Sequence, residues 1–291
     1  MNEAAVRRLI VTADDFGLAV PVNEAVEQAH LHGILSTASL MVAAPQTADA
    51  IARARRLPGL RVGLHVVLVN GRPALPPARV PDLVDARGRF SSDLFAAGLR
   101  YFFKPGIRAQ LEAEIREQFR LFAETGLELD HANAQNHMHV HPTVLSLLMK
   151  VGRDFGLRAI RVPYEPFGPA WRATRTHAGA RFMQSASLAP WMALMKRRVR
   201  AAGFAANDYV FGMIDTGHMT AALIDRYIAA LPPGVSEIYS HPATARFDSA
   251  EPPDADYAGE YSALIDPLVG AHLRESDVRL VTFSKLAQDA G

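Results

Sequence analysis

Residues 7–43, RRLIVTADDFGLAVPVNEAVEQAHLHGILSTASLMVA, contain the alternation that decides the fold. A β-rich run over 7–13 precedes an amphipathic run that stops at Gly33, and a second β-rich run follows at 34–43. Strand and helix signals of this kind recur along the chain in about seven or eight units. They predict an α/β fold, a distorted parallel βα barrel of about seven or eight strands. An open doubly wound sheet is the alternative, because strand order cannot be read from one sequence.

Later elements follow the same pattern, and one segment departs from it. Strands are expected near 159–162, 208–213, 235–239 and 278–283, and helices at 107–124 and 142–155. The Pro-rich stretches 70–82 and 247–259 are predicted to be long loops after strands. The segment at about 167–206 is rich in Ala, Met, aromatic and basic residues, and it predicts an inserted helical pair. We expect residues 1–291 to form a single domain.

Composition excludes several classes of protein. Lys and Arg together number 31 and Asp and Glu 30, so the net charge is +1 and no overall field attracts nucleic acid. The chain has no cysteine, which excludes disulfides, thiolate metal sites and a cysteine nucleophile. Any metal must therefore use His, Asp and Glu. No signal peptide and no apolar run of about 18 residues is visible, so a soluble, cytoplasmic protein is expected.

Polar residues capable of chemistry accompany three apolar strands. Asp14 and Asp15 come directly after LIVTA, His65 lies inside RVGLHVVLV, and His241 ends EIYSH before a proline. Each has a structural alternative: an N-cap or turn for the aspartates and for His241, and a hydrogen-bonded core histidine for His65. The parallel strands of a barrel end at one face, where barrel enzymes hold their catalytic groups. Together these residues therefore predict one site.

The stretch 130–141, DHANAQNHMHVH, contains four of the chain's 11 histidines. If it is a strand throughout, side chains two apart share a face. That polar face would consist of His131, Asn133, Gln135, His137, His139 and His141. A solvated antiparallel strand would alternate in the same way, but Pro142 and the helical pattern after it favour a βα unit. Imidazoles and carboxylates at several strand ends suit zinc or a similar divalent ion.

Motifs of other enzyme classes are missing from the sequence. There is no phosphate-binding Walker loop, no GxGxxG after the first strand and no GxSxG nucleophile elbow. Nucleotide binding and serine hydrolase chemistry therefore lack support, and a metal-dependent hydrolase is the best interpretation.

Several motifs, in this order, resemble one known family. TADDFG, VGLHVVLVNGRP, the His-x-His-x-HP stretch, IRVP and EIYSHP are similar to the YdjC/ChbG-like carbohydrate deacetylases, over residues 9–286. The sequence HANAQNHMHVHPTVL most resembles that of the hopanoid-biosynthesis branch called HpnK. The resemblance implies a barrel enzyme that uses a divalent metal, zinc or magnesium, to remove the N-acetyl group of an amino sugar. For that branch, the substrate would be an N-acetylglucosaminyl hopanoid or a similar glycolipid.

The resemblance also implies roles for individual residues. Asp15 and His65 would bind the metal, Asp14 would be the general base, and His241 would be the acid that protonates the leaving amine. Arg161, in IRVP, would contact the substrate.

The family's third metal ligand falls on Gln135, where a histidine is usual. Glutamine is a poor zinc ligand. Either His137 or His139, on the same face of the predicted strand, replaces it, or the site is weakened. We expect Gln135 and His139 at the metal and His137 at the substrate.

Hypotheses of other kinds stay open. One is a metal-dependent hydrolase of another bond, such as a phosphoester or glycosidic linkage, and another is a non-catalytic protein that binds a glycolipid. The stretch 188–204, LAPWMALMKRRVRAAGF, predicts an amphipathic helix in peripheral contact with the inner membrane face. A lid or dimer helix packed on the barrel is the alternative, and a homodimer is a further expectation.

Overall fold

This computed structural model describes residues 6–247 and 254–289. Its strands are β1 (Arg7–Phe16), β2 (Thr37–Leu40), β3 (Arg61–Val66), β4 (Leu129–Ala134), β5 (Tyr209–Phe211), β6 (Gly234–Ser240) and β7 (Val278–Leu280). Its helices are α1 (Val20–His32), α2 (Thr47–Arg55), α3 (Leu94–Phe103), α4 (Pro105–Glu124), α5 (Pro142–Asp154), α6 (Phe167–Thr174), α7 (Ala178–Ala201), α8 (Ala221–Ala230), α9 (Tyr257–Leu264), α10 (Pro267–Glu275) and α11 (Phe283–Asp289). The predicted loop at 247–259 lies partly outside the described residues.

The described strands pair in parallel in the order β4-β3-β2-β1-β6-β5, and β7 pairs with the start of β1. The two ends of this order approach each other through a segment between α5 and α6. In it, Ile160 forms a parallel bridge with Ala132 of β4, and the carbonyl of Tyr164 accepts from the amide of Val210 in β5. The sheet therefore curls into a barrel-like shape with helices around it, which confirms the predicted fold class.

Burial and register explain where the strands put their polar ends. In β1, residues 9–16 are all buried, as expected for a strand with the barrel interior on one face and helices on the other. β1 pairs with β6 in register over 7–13 and 234–240. The residues that follow in the two strands, which include Asp14 and His241, consequently lie at the same edge of the sheet.

The predicted strand at 159–162 forms isolated bridges rather than a regular ladder. The reason is that, at the end of this segment, the side chain of Asn207 makes the hydrogen bonds that a neighbouring strand would otherwise make. Asn207 Oδ1 accepts from the amide of Val162 at 2.8 Å, and Asn207 Nδ2 donates to its carbonyl at 3.0 Å.

The predicted strand at 278–283 is shorter than expected. It ends at Leu280, and Phe283 already begins α11. The hydroxyl of Thr282 accepts from the amide of Lys285 at 3.3 Å, which is the arrangement of a helix N-cap.

Residues 167–206 hold α6 and α7. Met192, Met195 and Val199 of α7 are buried in the main hydrophobic core. These three side chains are packed against the protein and do not reach a membrane, whereas Leu188 and Trp191 are only partly buried, so membrane contact through 188–204 stays a prediction. None of the described helices combines the length and the apolar character needed to cross a bilayer.

Candidate functional site

A cavity of about 210 Å³ lies at the carboxyl ends of β1, β3, β4 and β6. Its lining includes Asp14, Asp15, His65, Gln135, His137 and His241. These are six of the eight residues that the sequence singled out. The other two, Arg161 and His139, lie behind the lining and contact each other there.

Arg161 holds both oxygens of the Asp14 carboxylate. Its Nη1 donates to Asp14 Oδ2 at 2.5 Å and its Nη2 to Oδ1 at 3.0 Å, and Asn133 Nδ2 donates to the same Oδ1 at 3.1 Å. Burial alone would raise the pKa of Asp14, but the positive charge of Arg161 and its hydrogen bonds hold that pKa well below its usual range. Asp14 is therefore charged at physiological pH.

A second carboxylate binds the same guanidinium. Glu237 of β6 is fully buried and accepts from Arg161 Nε at 3.0 Å and from Nη2 at 2.6 Å. The hydroxyl of Thr12 donates to Glu237 Oε1 at 2.6 Å. Two carboxylates, Asp14 and Glu237, thus share one guanidinium, and Asp15 adds a third carboxylate nearby. The surplus of negative charge favours a cation in the cavity.

Asp15 leaves the strand conformation with a φ of 61°, which few residues other than glycine adopt. Its Oδ1 is buried without a hydrogen-bond partner among the described residues, and it lies 3.3 Å from His65 Nε2. On the other side of the imidazole, His65 Nδ1 lies 2.7 Å from Asn133 Oδ1. That amide oxygen accepts a hydrogen bond from the Nδ1–H group, so the lone pair of Nε2 is directed toward Asp15.

The histidine-rich stretch is a strand only as far as Ala134. Residues 135–140 form tight 3-10 turns, in which Asn136 and His137 have φ values of 49° and 53°. Two successive left-handed residues reverse the local course of the chain, so the alternation expected over 131–141 is wrong beyond Gln135. In the loop after β3, Asn70 Nδ2 donates to Asn136 Oδ1 of this turn at 2.9 Å.

The residues of this turn divide between the cavity and the interior. Gln135 and His137 line the cavity, whereas His139 lies deeper, with Nε2 at 3.1 Å from the carbonyl oxygen of Arg161. Burial and the charge of Arg161 lower the pKa of His137 to about 3, so its imidazole is neutral. Gln135 Oε1 and the Nδ1 atoms of both histidines are buried without hydrogen-bond partners in the described chain. Such atoms are expected where a ligand binds.

The other two histidines of the stretch lie outside the cavity. His131 is fully buried, with Nδ1 at 2.9 Å from Asp130 Oδ2 and Nε2 at 3.1 Å from Ser39 Oγ. His141 packs its ring edge-on against Tyr101 of α3. Both contacts are structural.

His241 follows β6 and is oriented by three contacts. Its Nδ1 lies 3.2 Å from Thr216 Oγ1, and its backbone amide donates to Glu260 Oε2 at 2.6 Å. Its ring stands edge-on to the ring of Tyr239, with 5.6 Å between the centroids. The imidazole is consequently held at the cavity, within reach of a bound molecule.

A second buried cluster supports the loop that carries Thr216. Arg181 of α7 donates to Glu165 Oε1 at 2.7 Å and to Asp215 Oδ1 at 2.5 Å, and Glu165 Oε2 accepts from the amide of Met213 at 2.8 Å. Burial raises the pKa of Glu165 to about 7. Through Arg181, the inserted helix therefore helps to position one wall of the cavity.

The donors at the cavity fit a divalent cation that has two strong protein ligands. No three His, Asp or Glu side chains within 6–247 and 254–289 form a metal-binding group. Asp15 Oδ1 and His65 Nε2 are nevertheless 3.3 Å apart, and two atoms that each lie about 2.1 Å from one ion are roughly 3.0–3.4 Å apart. Gln135 adds a buried, unpaired amide oxygen to the same cavity.

Sequence reasoning missed Glu237, Thr216, Tyr239 and Arg181. Glu237 had a signal, because it is a lone charge in the apolar strand VSEIYS, which is the pattern that identified His65. The other three had none, since their roles depend on contacts between distant parts of the chain.

A larger cavity of about 620 Å³ lies at the amino ends of the strands. Its lining includes Arg8, Arg158, Arg200, Asp208 and Asp289, and no histidine among the described residues. Size alone would favour it, but Asp14, Asp15 and three histidines line the smaller cavity, which we take as the candidate site.

Comparisons with known proteins agree on one family. A family model described as "YdjC-like protein" matches residues 8–275. The chain is 34% identical over 160 residues to a "Carbohydrate deacetylase" of Brevibacillus brevis, an alignment that covers 54% of this chain and 60% of that protein. It is 26% identical over 236 residues to a protein of the same name from Thermoanaerobacter pseudethanolicus, covering 81% of this chain and 80% of that one. The first of these alignments thus spans less than two thirds of the relative.

A solved structure shares the fold. The crystal structure of a putative cellobiose-phosphate cleavage protein from Enterococcus faecalis V583 superposes with a TM-score of 0.73 at 20% identity. The superposition covers 97% of this chain and 99% of that one.

Proposed function

The chain belongs to the YdjC-like protein family, and we propose that it is a carbohydrate deacetylase that hydrolyses the N-acetyl amide of an amino sugar. The observation that carries the proposal is the 3.3 Å approach of Asp15 Oδ1 to His65 Nε2 beside the charged Asp14. The names of the two relatives support the same activity. A cavity of about 210 Å³ suits one sugar ring better than a longer chain, because sites for drug-sized ligands have roughly 300–1,000 Å³.

In this proposal Asp14 is the general base. Arg161 keeps the carboxylate ionised and fixes its direction, so that it can accept a proton from water next to the acetyl carbonyl carbon. A carboxylate with so low a pKa needs an acidified water, and a divalent cation at Asp15 and His65 would supply that acidification and polarise the carbonyl. His241 donates a proton to the departing nitrogen, because an amine anion is too basic to leave.

The metal dependence is also a proposal, and the donor set suggests which ions the site accepts. Asp15 and Gln135 would offer oxygen atoms, and His65 would offer the one nitrogen. Oxygen-rich sites suit magnesium or manganese, whereas zinc prefers nitrogen and sulfur ligands. We therefore expect the chain to tolerate magnesium or manganese better than a site with a second histidine would.

The more specific substrate that we propose is an N-acetylglucosaminyl hopanoid or a similar glycolipid. This part rests on the resemblance of HANAQNHMHVHPTVL to the HpnK branch. The polar cavity would bind the sugar, and the apolar part of the glycolipid would remain outside the cavity.

Mass spectrometry tests the reaction directly. Purified protein is incubated with N-acetylglucosaminyl lipids and with free N-acetylated sugars, with magnesium, manganese, zinc or a chelator. Loss of one acetyl group per sugar, abolished by the chelator, is expected. Absence of acetate release with every metal and substrate would overturn the deacetylase proposal, whereas release in the presence of chelator would overturn only the metal dependence.

The third ligand is tested by a pair of substitutions. If Gln135 Oε1 faces the ion, Gln135→His should strengthen zinc binding by on the order of tenfold or more, because imidazole is the better zinc ligand. His139→Ala serves as the comparison, since His139 contacts Arg161 behind the cavity and should leave zinc affinity unchanged. A loss of zinc in His139→Ala with no gain in Gln135→His would instead identify His139 as the ligand.

A further inference from the structure

Helix α3 exposes a continuous apolar face. Its exposed large side chains are Leu94, Phe95, Leu99, Phe102 and Phe103, and Phe95 and Phe103 are 76% and 70% exposed. At about 100° per residue these positions cover one half of the helix circumference. Ala97 and Tyr101, on the other half, are buried against the protein. Single exposed apolar residues are ordinary, but five on one helix face mark an interaction surface.

This face reaches the candidate site. Leu94, the first residue of α3, also lines the cavity that contains Asp14 and His65. A partner that covers α3 therefore sits at the mouth of the cavity, and it must leave a path for the substrate.

Positive charge lies beside the apolar face. A cleft of about 420 Å³ is lined by Arg87, Arg89 and Arg100, with Asp85 as the acidic residue among its lining. Lys104 follows α3 directly and is exposed. Aromatic side chains next to several cations are the combination that enters the headgroup region of an anionic bilayer.

We propose that α3 and the arginine cleft form a docking surface for an anionic lipid bilayer. The aromatic side chains enter the boundary between headgroups and acyl chains, and the arginines bind lipid phosphates. This surface is separate from the stretch 188–204, in which Met192, Met195 and Val199 are packed in the core. The proposal does not depend on the reaction that the cavity catalyses.

Sedimentation with vesicles tests it. Phosphatidylcholine vesicles with and without phosphatidylglycerol are mixed with wild type, with Phe95→Ser/Phe103→Ser, and with a matched control, Leu31→Ser/Leu268→Ser. The control also removes two exposed apolar side chains, which lie on α1 and α10. Binding to anionic vesicles should fall by on the order of tenfold or more in the phenylalanine variant and stay unchanged in the control.

A second variant separates charge from apolar contact. Arg87→Ser/Arg89→Ser should lose the preference for anionic over neutral vesicles, and added salt should weaken wild-type binding in the same way. Melting temperature and turnover of a soluble substrate establish that each variant is folded. Equal vesicle binding by all four proteins overturns the proposal. So does a dimer in sedimentation velocity that only the phenylalanine substitutions dissociate, without vesicle binding, because a second copy of the chain would then cover α3.

Discussion

Two buried arginines each bind two carboxylates near the cavity, yet the carboxylates beside them titrate in opposite directions. Arg161 contacts Asp14, whose pKa lies well below its usual range although burial opposes this. Arg181 contacts Glu165, whose pKa is raised to about 7 by burial. A carboxylate beside a buried arginine is thus permanently ionised in the first cluster. The corresponding carboxylate in the second cluster titrates near neutral pH.

The contacts that each carboxylate makes with neighbouring charges explain the difference. Arg161 donates to both oxygens of Asp14, and Asn133 adds a third bond to that carboxylate. Glu165 accepts one bond from Arg181 and one from the amide of Met213, and the negative charge of Asp215 lies nearby. In the first cluster the charge of Arg161 and its hydrogen bonds outweigh burial, whereas in the second cluster burial and the charge of Asp215 outweigh the bonds to Glu165. The first cluster therefore suits chemistry, and the second suits the positioning of a loop.

Substitutions in the two clusters should differ most in their effect on turnover. Asp14→Asn keeps an acceptor for Arg161 but cannot take a proton, so turnover of an N-acetylated amino sugar should fall by roughly 10²–10⁴-fold. Asp215→Asn, in the second cluster, should cost on the order of tenfold through displacement of Thr216. Steady-state kinetics on both variants measures this contrast.

Metal content separates the base from the ligands in the same experiment. Asp14→Asn should retain the divalent ion, whereas Asp15→Asn and His65→Ala should lose it. Full metal occupancy in Asp15→Asn would show that this carboxylate is not a ligand, and equal turnover in Asp14→Asn and Asp215→Asn would remove the distinction between the clusters.

The sequence predicted the fold because the strands of a barrel are buried on both faces and therefore read as short apolar runs between helices. It also predicted Asp14, Asp15, His65 and His241 as neighbours, since parallel strands end at one edge. The sequence predicted the ends of the strands less accurately, and the strand predicted at 278–283 is an example because it ends at Leu280.

The histidine-rich stretch shows what sequence patterns miss. Nothing in the residue types of Asn136 and His137 requires a positive φ, so period-two alternation was the natural interpretation. Arg181 was missed for another reason: it lies in the inserted segment and reaches the cavity only through Glu165 and Asp215. Such contacts depend on the three-dimensional arrangement and leave no local signal.

A smaller contrast is expected in stability. Arg161 is fully buried, so Arg161→Met leaves two unpaired buried carboxylates and should lower the free energy of unfolding by about 3–5 kcal/mol. Arg181→Met should cost less, because the side chain of Asp215 is 11% exposed and keeps its hydrogen bond from Tyr227. Urea unfolding of both variants gives the two values. An Arg161→Met protein as stable as wild type would mean that apolar packing can replace this cluster.

The smallest contrast is in pH dependence, and its sign differs between the clusters. The pKa of Glu165 rises from 4.5 to about 7 on folding, so its contribution to stability is fully present below pH 4.5 and is lost as the pH rises through 7. The loss is at most roughly 3 kcal/mol, and Glu165→Gln should abolish it. Urea unfolding of both proteins between pH 5 and 8 should therefore show wild type losing stability relative to the variant. Glu117→Gln is the control: its lowered pKa, caused by Arg120, predicts a small change of opposite sign. A constant difference between wild type and Glu165→Gln across this range would mean that Glu165 stays ionised beside Arg181, as Asp14 does beside Arg161.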